Sequence, residues 1–304
     1  MNKKQIADKL ESYGIPRKEL DRYDEEHRFY HNLTHIISMI LSATKQNILT
    51  DELFLTIVFH DIIYDPKAQD NEEKSAQLFL SYIRNFQVSD AILETKLHRP
   101  ITTLGKQLCA LDLEILNSDF ATFMDFEGKI FKEYQWVDFS IYKEKRVKIL
   151  SKLGVNKEWI QYVKHRKPNI ALYAGSFNPF HVGHYNILTK AEQIFDKVII
   201  ARGNNPEKHD YKVDLPKEIQ YRQVIEYNKL LTKLISDLEY DVTVIRGLRS
   251  ANDINHELIQ YRFLQDFNPE IKVVSIICDR QFEHISSSAI RQLEKFNAED
   301  KYIL

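Results

Sequence analysis

Two imidazoles three residues apart, His181 and His184, close an H-x-G-H motif. The motif follows an apolar run at residues 170–174 and a G-S-F-N-P turn at 175–179. A strand, a tight turn and then a helix make a phosphate site, because the first backbone N–H groups of a helix are unpaired and carry the positive end of its dipole. Residues three apart in a helix share one face. Further along, Lys208 and His209 follow a second apolar run, Arg246, Gly247, Leu248 and Arg249 close a third, and Ser286, Ser287 and Ser288 open a helical pattern. Guanidinium groups, hydroxyls and helix-start amides all bind phosphate oxygens. Taken singly, each has a plainer explanation: a turn lysine, a solvated arginine pair, a serine N-cap.

A second set of chemical residues lies upstream. His31 and His35 are one helical turn apart, His60 and Asp61 are embedded between apolar residues, and Asp112 sits in another apolar stretch. Buried charges without partners cost several kcal/mol or change protonation state. Imidazoles and carboxylates that converge on a divalent cation avoid that conflict. Each residue alone reads as a satisfied core histidine or a helix-terminal aspartate. The order His, His-Asp, Asp gives them a common purpose.

The elements that must position these groups differ between the two halves. Before about residue 165, apolar residues recur at helical spacing (Ile36, Ile37, Ile40, Leu41; Leu53, Phe54, Ile57, Val58; Leu78, Phe79, Tyr82, Ile83) with turn-like breaks at Asp65-Pro66 and Arg99-Pro100. Residues 154–169 are polar and end in a basic run and Pro168, the pattern of a connector. Beyond it, strand-like runs at 170–174, 198–201, 223–227, 242–245 and 271–278 alternate with helical patterns at 185–195, 230–238, 251–267 and 287–296. That alternation predicts a Rossmann-like parallel sheet with ligands at the carboxyl ends of its strands. The expected architecture is two domains: an all-α domain over 1–165, then an α/β nucleotide-handling domain over 166–304.

Bulk properties narrow the function. The 304 residues are 43% hydrophobic and 28% charged, with a formal net charge of −2. No global field draws the chain to nucleic acid or to an anionic membrane. Cys109 and Cys278 are the only cysteines, each in an apolar pattern, so neither a disulfide framework nor a Cys-based zinc site is expected. Without a signal-like segment or a membrane-length apolar run, the expected compartment is the cytoplasm.

The upstream set resembles the HD superfamily of metal-dependent phosphohydrolases over about residues 20–150. The matching pieces are R-F-Y-H-N-L-T-H-I at 28–36, F-H-D-I-I-Y-D-P at 59–66, D-N-E-E-K-S-A at 70–76 and T-K-L-H at 95–98. The resemblance implies that His35, His60, Asp61 and Asp112 ligate a divalent metal such as Mn2+, Fe2+ or Mg2+. It places His31 and His98 nearby as supporting groups or further ligands, and Glu72 and Glu73 as lesser candidates. A metal-activated water would attack a phosphoester with Asp61 orienting it. The same fold branch also serves as a regulatory nucleotide-binding module.

The downstream set resembles the phosphopantetheine adenylyltransferases over about residues 168–296, through G-S-F-N-P, H-x-G-H, N-P-E-K at 205–208, I-R-G-L-R with its D-x-x-x-E continuation, and I-S-S-S at 285–288. This resemblance implies AMP transfer from ATP, with Mg2+, to a phosphorylated small-molecule acceptor. His184 would meet the α-phosphate, Ser176 would position the reacting groups, and Lys208 (or His209) and Arg246 would bind the acceptor phosphate. Phe177, His181, Gly247, Arg249, Glu257 and Ser286 to Ser288 would hold the nucleotide. Where the family has asparagine seven residues beyond Glu257 this chain has Leu264, and the segment after Lys208 is short. Nicotinamide mononucleotide or a sugar or alcohol phosphate is therefore an alternative acceptor. A homo-oligomer, by resemblance a hexamer, is expected.

Overall fold

A computed structural model of the chain describes residues 1–204 and 214–304. These divide into two compact units, Met1–Glu133 and Tyr134–Leu304. Among the described residues, no helix is long and apolar enough to cross a membrane.

The first unit is helical: α1 (Lys3–Ser12), α2 (Leu33–Lys45), α3 (Asp51–Phe59), α4 (Asn71–Tyr82), α5 (Phe86–Glu94), α6 (Thr103–Asp112) and α7 (Phe120–Glu133). Side-chain caps set several starts. Asn32 accepts from the Thr34 N–H ahead of α2, Thr50 from Leu53 N–H ahead of α3, and Thr102 from Gly105 N–H ahead of α6. Each such cap is worth about 1 kcal/mol. Every residue of α3 from Leu53 to Phe59 is buried, so this helix is the centre around which the others pack. Ile36, Ile40, Phe54, Val58, Phe79, Ile92 and Leu108 form its surrounding core. The central helix delivers His60 at its carboxyl end, α2 delivers His35, and α6 ends on Asp112.

The second unit begins earlier than the change of sequence period. It opens with two helices, α8 (Phe139–Lys152) and α9 (Lys157–His165), and so takes in the polar segment expected to be a connector. The junction falls at Glu133 and Tyr134, not near residue 165. Specific bonds tie this stretch to the sheet. Lys197, almost wholly buried, donates through Nζ to the carbonyls of Gln135 and Val137, and Gln223 N–H donates to Gln135 O at 3.1 Å. Asp138 caps α8 through Ser140 N–H and accepts from the Tyr240 hydroxyl at 2.7 Å. Burial lowers the Lys197 pKa to about 7, against the opposing pull of Asp138.

The rest is an α/β sheet: β1 (Ile170–Gly175), α10 (Val182–Glu192), β2 (Lys197–Gly203), β3 (Val224–Tyr227), α11 (Leu231–Ser236), β4 (Thr243–Leu248), α12 (Ala251–Phe267), β5 (Lys272–Ile277) and α13 (Ser287–Glu294). All pairings are parallel, in the order β3-β2-β1-β4-β5. β1 is buried from Ile170 to Ala174, as its uninterrupted apolar run requires for a strand covered on both faces. The chain moves outward from β1 to β3 and then crosses back to β4. The order therefore reverses between β1 and β4, and a crevice opens there at the strands' carboxyl ends. Four of the five expected strands match to within a residue or two at each end, and β4 runs three residues beyond its expected end.

Candidate functional site

In the second unit, β1 ends on Gly175 and the chain turns sharply. A Cβ at residue 175 would lie 2.9 Å from the Phe177 ring, so the turn closes only over glycine. Phe177, at φ 45°, folds its ring into the core against Tyr173, Phe180 and His184. The ring is thus a structural wedge under the site.

His181 and His184 then cap α10 reciprocally. His181 Nδ1 accepts from His184 N–H, and His184 Nδ1 accepts from His181 N–H, each at 3.3 Å. A neutral imidazole that accepts at Nδ1 must carry its proton on Nε2. Both rings therefore offer an Nε2–H, and they stack with centroids 3.6 Å apart. Burial, with the neighbouring Arg249 cation, lowers the His181 pKa to about 4. Burial, His181 and Arg249 hold His184 well below the ordinary histidine value. Both are neutral donors at neutral pH.

Arg246 and Arg249 project from the end of β4. Arg246 Nε lies 3.2 Å from Glu257 Oε2, and both of these buried atoms lack a hydrogen bond of good geometry. Arg249 is braced by Asp253 at 3.1 and 3.2 Å and by the carbonyl of Ile285 at 3.2 Å. The serines of α13 are engaged locally. Ser286 caps the helix through Ala289 N–H, Ser287 donates to Pro179 O, and Ser288 accepts from Arg291. Arg291 also donates to the carbonyl of Asn178, which ties α13 to the G-S-F-N-P turn. Arg291 was not singled out by sequence. Its position one turn beyond Ser287 and Ser288 was the available signal.

Ser176, Phe177, His181, His184, Arg246, Gly247, Arg249, Glu257 and Ser286 to Ser288 all line one cavity of about 310 Å3 at the crevice. The structure thus brings together every expected transferase residue except Lys208, which with His209 lies outside the described residues. Arg246 and Glu257 also line an adjoining cavity of about 290 Å3 with Leu248, Leu258 and Leu264.

In the first unit, the upstream histidines and aspartates also meet. His60 Nδ1 lies 2.8 Å from the carbonyl of Ile57, which fixes a proton there and leaves Nε2 facing the carboxylates. His60 Nε2 is 3.0 Å from Asp61 Oδ2 and 3.8 Å from Asp112 Oδ1, while His35 Nε2 is 3.1 Å from Asp112 Oδ1. His98 Nε2 lies 2.9 Å from Asp112 Oδ2. His35 Nε2 and His60 Nε2 are buried without a hydrogen-bond partner. Ligand atoms of His35, His60 and Asp61 all lie within 4.8 Å of one another. Orphaned imidazole nitrogens converging on carboxylates fit a divalent cation. Without one, the Asp61 carboxylate overcomes the effect of burial and raises the His60 pKa to about 9. Burial acts against ionisation of Asp61 and Asp112 as well, but their histidine partners hold both carboxyls below the usual range.

His31 sits beside this cluster, with Nδ1 2.6 Å from Glu133, a buried residue the sequence reading passed over. Glu72 is half-buried and its pKa is raised by burial and by Asp61, whereas Glu73 is paired with Lys96.

Comparison with known proteins places the second unit. A cytidylyltransferase-like family model matches residues 172–298. A phosphopantetheine adenylyltransferase of Mycoplasma capricolum is 37% identical over 136 residues, covering 41% of this chain and 96% of that protein. The chain belongs to the phosphopantetheine adenylyltransferase family. A second member of the family, from Clostridium tetani, is 30% identical over 42% of this chain and 85% of its own length. These adenylyltransferase relatives correspond to the C-terminal half. A solved structure described as a putative nicotinate-nucleotide adenylyltransferase from Vibrio parahaemolyticus aligns over 45% of this chain and 87% of its own at 16% identity and a TM-score of 0.33, too distant to bear on function.

Proposed function

We propose that the second unit transfers AMP from ATP to 4′-phosphopantetheine, giving dephospho-coenzyme A and pyrophosphate. The observation that carries this reading is His184 at a helix start, its Nδ1 spent on the His181 N–H, in a cavity shared with Arg246, Arg249 and the first residues of α13. An acceptor phosphate oxygen attacks the α-phosphorus, the bond to the β-phosphate oxygen breaks, and pyrophosphate leaves. No covalent enzyme intermediate is needed. His184 donates to the α-phosphate as charge develops, Ser176 positions the reacting groups, and Arg249 with the first-turn amides of α13 takes the β- and γ-phosphates. The serine hydroxyls, engaged with Pro179, Ala289 and Arg291, set the helix end, so backbone amides carry the larger share of that binding. Mg2+ accompanies ATP and neutralises phosphate charge.

Arg246 stands between the two cavities, which suits an acceptor whose phosphate meets the guanidinium while its body enters the adjoining space. Leu248, Ile254, Leu258, Leu264 and Val273 make that space mostly apolar. This favours a flexible pantetheine arm over a second nucleotide or a sugar, whose hydroxyls would find few partners there. Full-length protein incubated with ATP, Mg2+ and a panel of phosphate esters tests the reading. Dephospho-coenzyme A and pyrophosphate should form at equal rates. Turnover of nicotinamide mononucleotide in preference would refute the acceptor and keep the class.

For the first unit, the reading is an HD-type phosphoester hydrolase acting on a nucleotide-like substrate. His35, His60, Asp61 and Asp112 would hold a divalent ion, with His98 bracing Asp112. The ion would supply an activated water, and Asp61 would orient the nucleophile. Metal content and phosphatase activity, measured on wild type and on His60→Ala, decide between this hydrolase and a regulatory nucleotide-binding module.

A further inference from the structure

Glu133 is the last residue of α7 and is about a hundred positions from the residues it serves. Its Oε1 accepts three backbone N–H groups, from Phe29, Tyr30 and His31, at 2.9, 2.7 and 2.9 Å. Its Oε2 meets His31 Nδ1 at 2.6 Å and accepts from the Tyr64 hydroxyl at 2.8 Å. The carboxylate is 1% exposed, so five donors replace the water it has lost. Two of the five belong to His31, its backbone N–H and its ring Nδ1, so the carboxylate is seated against that imidazole.

The arrangement fixes the His31 ring. A carboxylate with five donors around it is an acceptor only, so the proton between it and His31 rests on Nδ1. Tyr64 stacks on one face of the ring at 4.4 Å between centroids, and the His35 ring meets it edge-on at 6.2 Å. Nε2 is the ring nitrogen that Glu133 leaves available, on a ring that neighbours His35 of the His35, His60 and Asp61 cluster. A carboxylate that holds the far nitrogen of an imidazole is the usual support of a metal-binding histidine.

We infer that Glu133 is a positioning residue of the first unit's metal centre and that it holds His31, through Nδ1, as a further nitrogen donor to the bound divalent ion. The inference rests on the metal-centre reading of that unit. It adds a residue from outside the H…HD…D pattern, and it assigns both His31 and His35 to the ion.

Calorimetric titration of the full chain with Mn2+ tests it. Glu133→Gln should weaken Mn2+ binding about 10–100-fold, the usual loss when a supporting partner of a ligand is removed. His31→Ala should weaken it at least as much. Because Glu133 acts through His31, the double variant should bind no more weakly than His31→Ala alone. Nitrogen NMR of the His31 ring should show Nδ1 protonated in the wild-type, metal-loaded chain. Unchanged affinity in Glu133→Gln, or losses that add in the double variant, would overturn the inference. If Glu133→Gln does not fold, His31→Ala still decides, since wild-type Mn2+ affinity in that variant refutes His31 as a donor. His60→Ala separates the two claims. If it abolishes Mn2+ binding while His31→Ala and Glu133→Gln do not weaken it, this inference fails and the metal centre survives. If wild type binds no Mn2+, both fall.

Discussion

Replacing His184 with alanine probes the transferase site most directly. In the wild type, the ring spends Nδ1 on the His181 amide and presents Nε2–H to the cavity, while burial, His181 and Arg249 keep it neutral. The substitution removes one aimed donor, which typically costs 10²–10³-fold in kcat, or about 3–4 kcal/mol of transition-state stabilisation. It also leaves the His181 N–H without its side-chain cap, a loss of about 1 kcal/mol in stability. The two effects separate in one experiment: pyrophosphate release under saturating ATP and acceptor gives kcat, and thermal denaturation gives the cap. KM for ATP should move much less than kcat, because the donor matters most as charge develops on the α-phosphate. Since both imidazoles titrate well below neutrality, kcat should show no histidine step between pH 6 and 8. A variant within threefold of wild type would refute the assigned role. So would a wild-type kcat that falls through an apparent pKa near 6.5 and loses that step in the variant.

In the metal-free first unit, the His60 pKa is raised to about 9 from its ordinary 6.5. Its stabilising contribution is therefore complete below pH 6.5 and lost as pH rises through about 9, and denaturant titrations of the metal-free chain should show that decline. Metal binding at pH 7 should displace that proton, giving a calorimetric heat that depends on the buffer's ionisation enthalpy. Arg291→Ala should loosen the 178–179 turn, leaving it tied to α13 through Ser287, and lower kcat/KM for ATP roughly tenfold, with Arg291→Lys less affected, as steady-state kinetics will show. A fragment spanning 134–304 should fold and retain transferase activity, whereas one spanning 166–304 should aggregate, because it strips α8 and α9 from the sheet and leaves Lys197 without its carbonyl partners. Finally, α12 buries none of its residues and exposes Leu258, Ile259, Phe263 and Phe267. A homo-oligomer that covers this stripe should dissociate on Phe263→Asp, measured by light scattering.

The second unit was legible because its strands are short apolar runs between helical periods, and a sheet buried on both faces imposes that pattern. The residues that line the crevice cavity were legible for a related reason. They sit at strand ends and helix starts, where function depends on local backbone and therefore on local sequence. The junction was not legible. α9 buries only Ile160 and Val163, so its sequence looks like a solvated connector although it packs within the second unit. Side chains that act across long sequence separations were also hidden. Glu133 completes a shell around residues 29–31, and nothing in the local pattern of α7 distinguishes it from an ordinary helix-end carboxylate. Ser287 and Ser288 were found as residues, but their hydroxyls turned out to be committed to Pro179 and Arg291, contacts that only folding creates.

Lys197 also makes the second unit report on its own integrity. An amine that is 1% exposed, held by two carbonyls, is out of reach of acylating reagents whatever its intrinsic reactivity. Once exposed, it regains ordinary lysine behaviour. Acylation at this position, read by mass spectrometry against the exposed Lys217, would therefore count the openings of the 135–137 segment from the start of β2 without any added label.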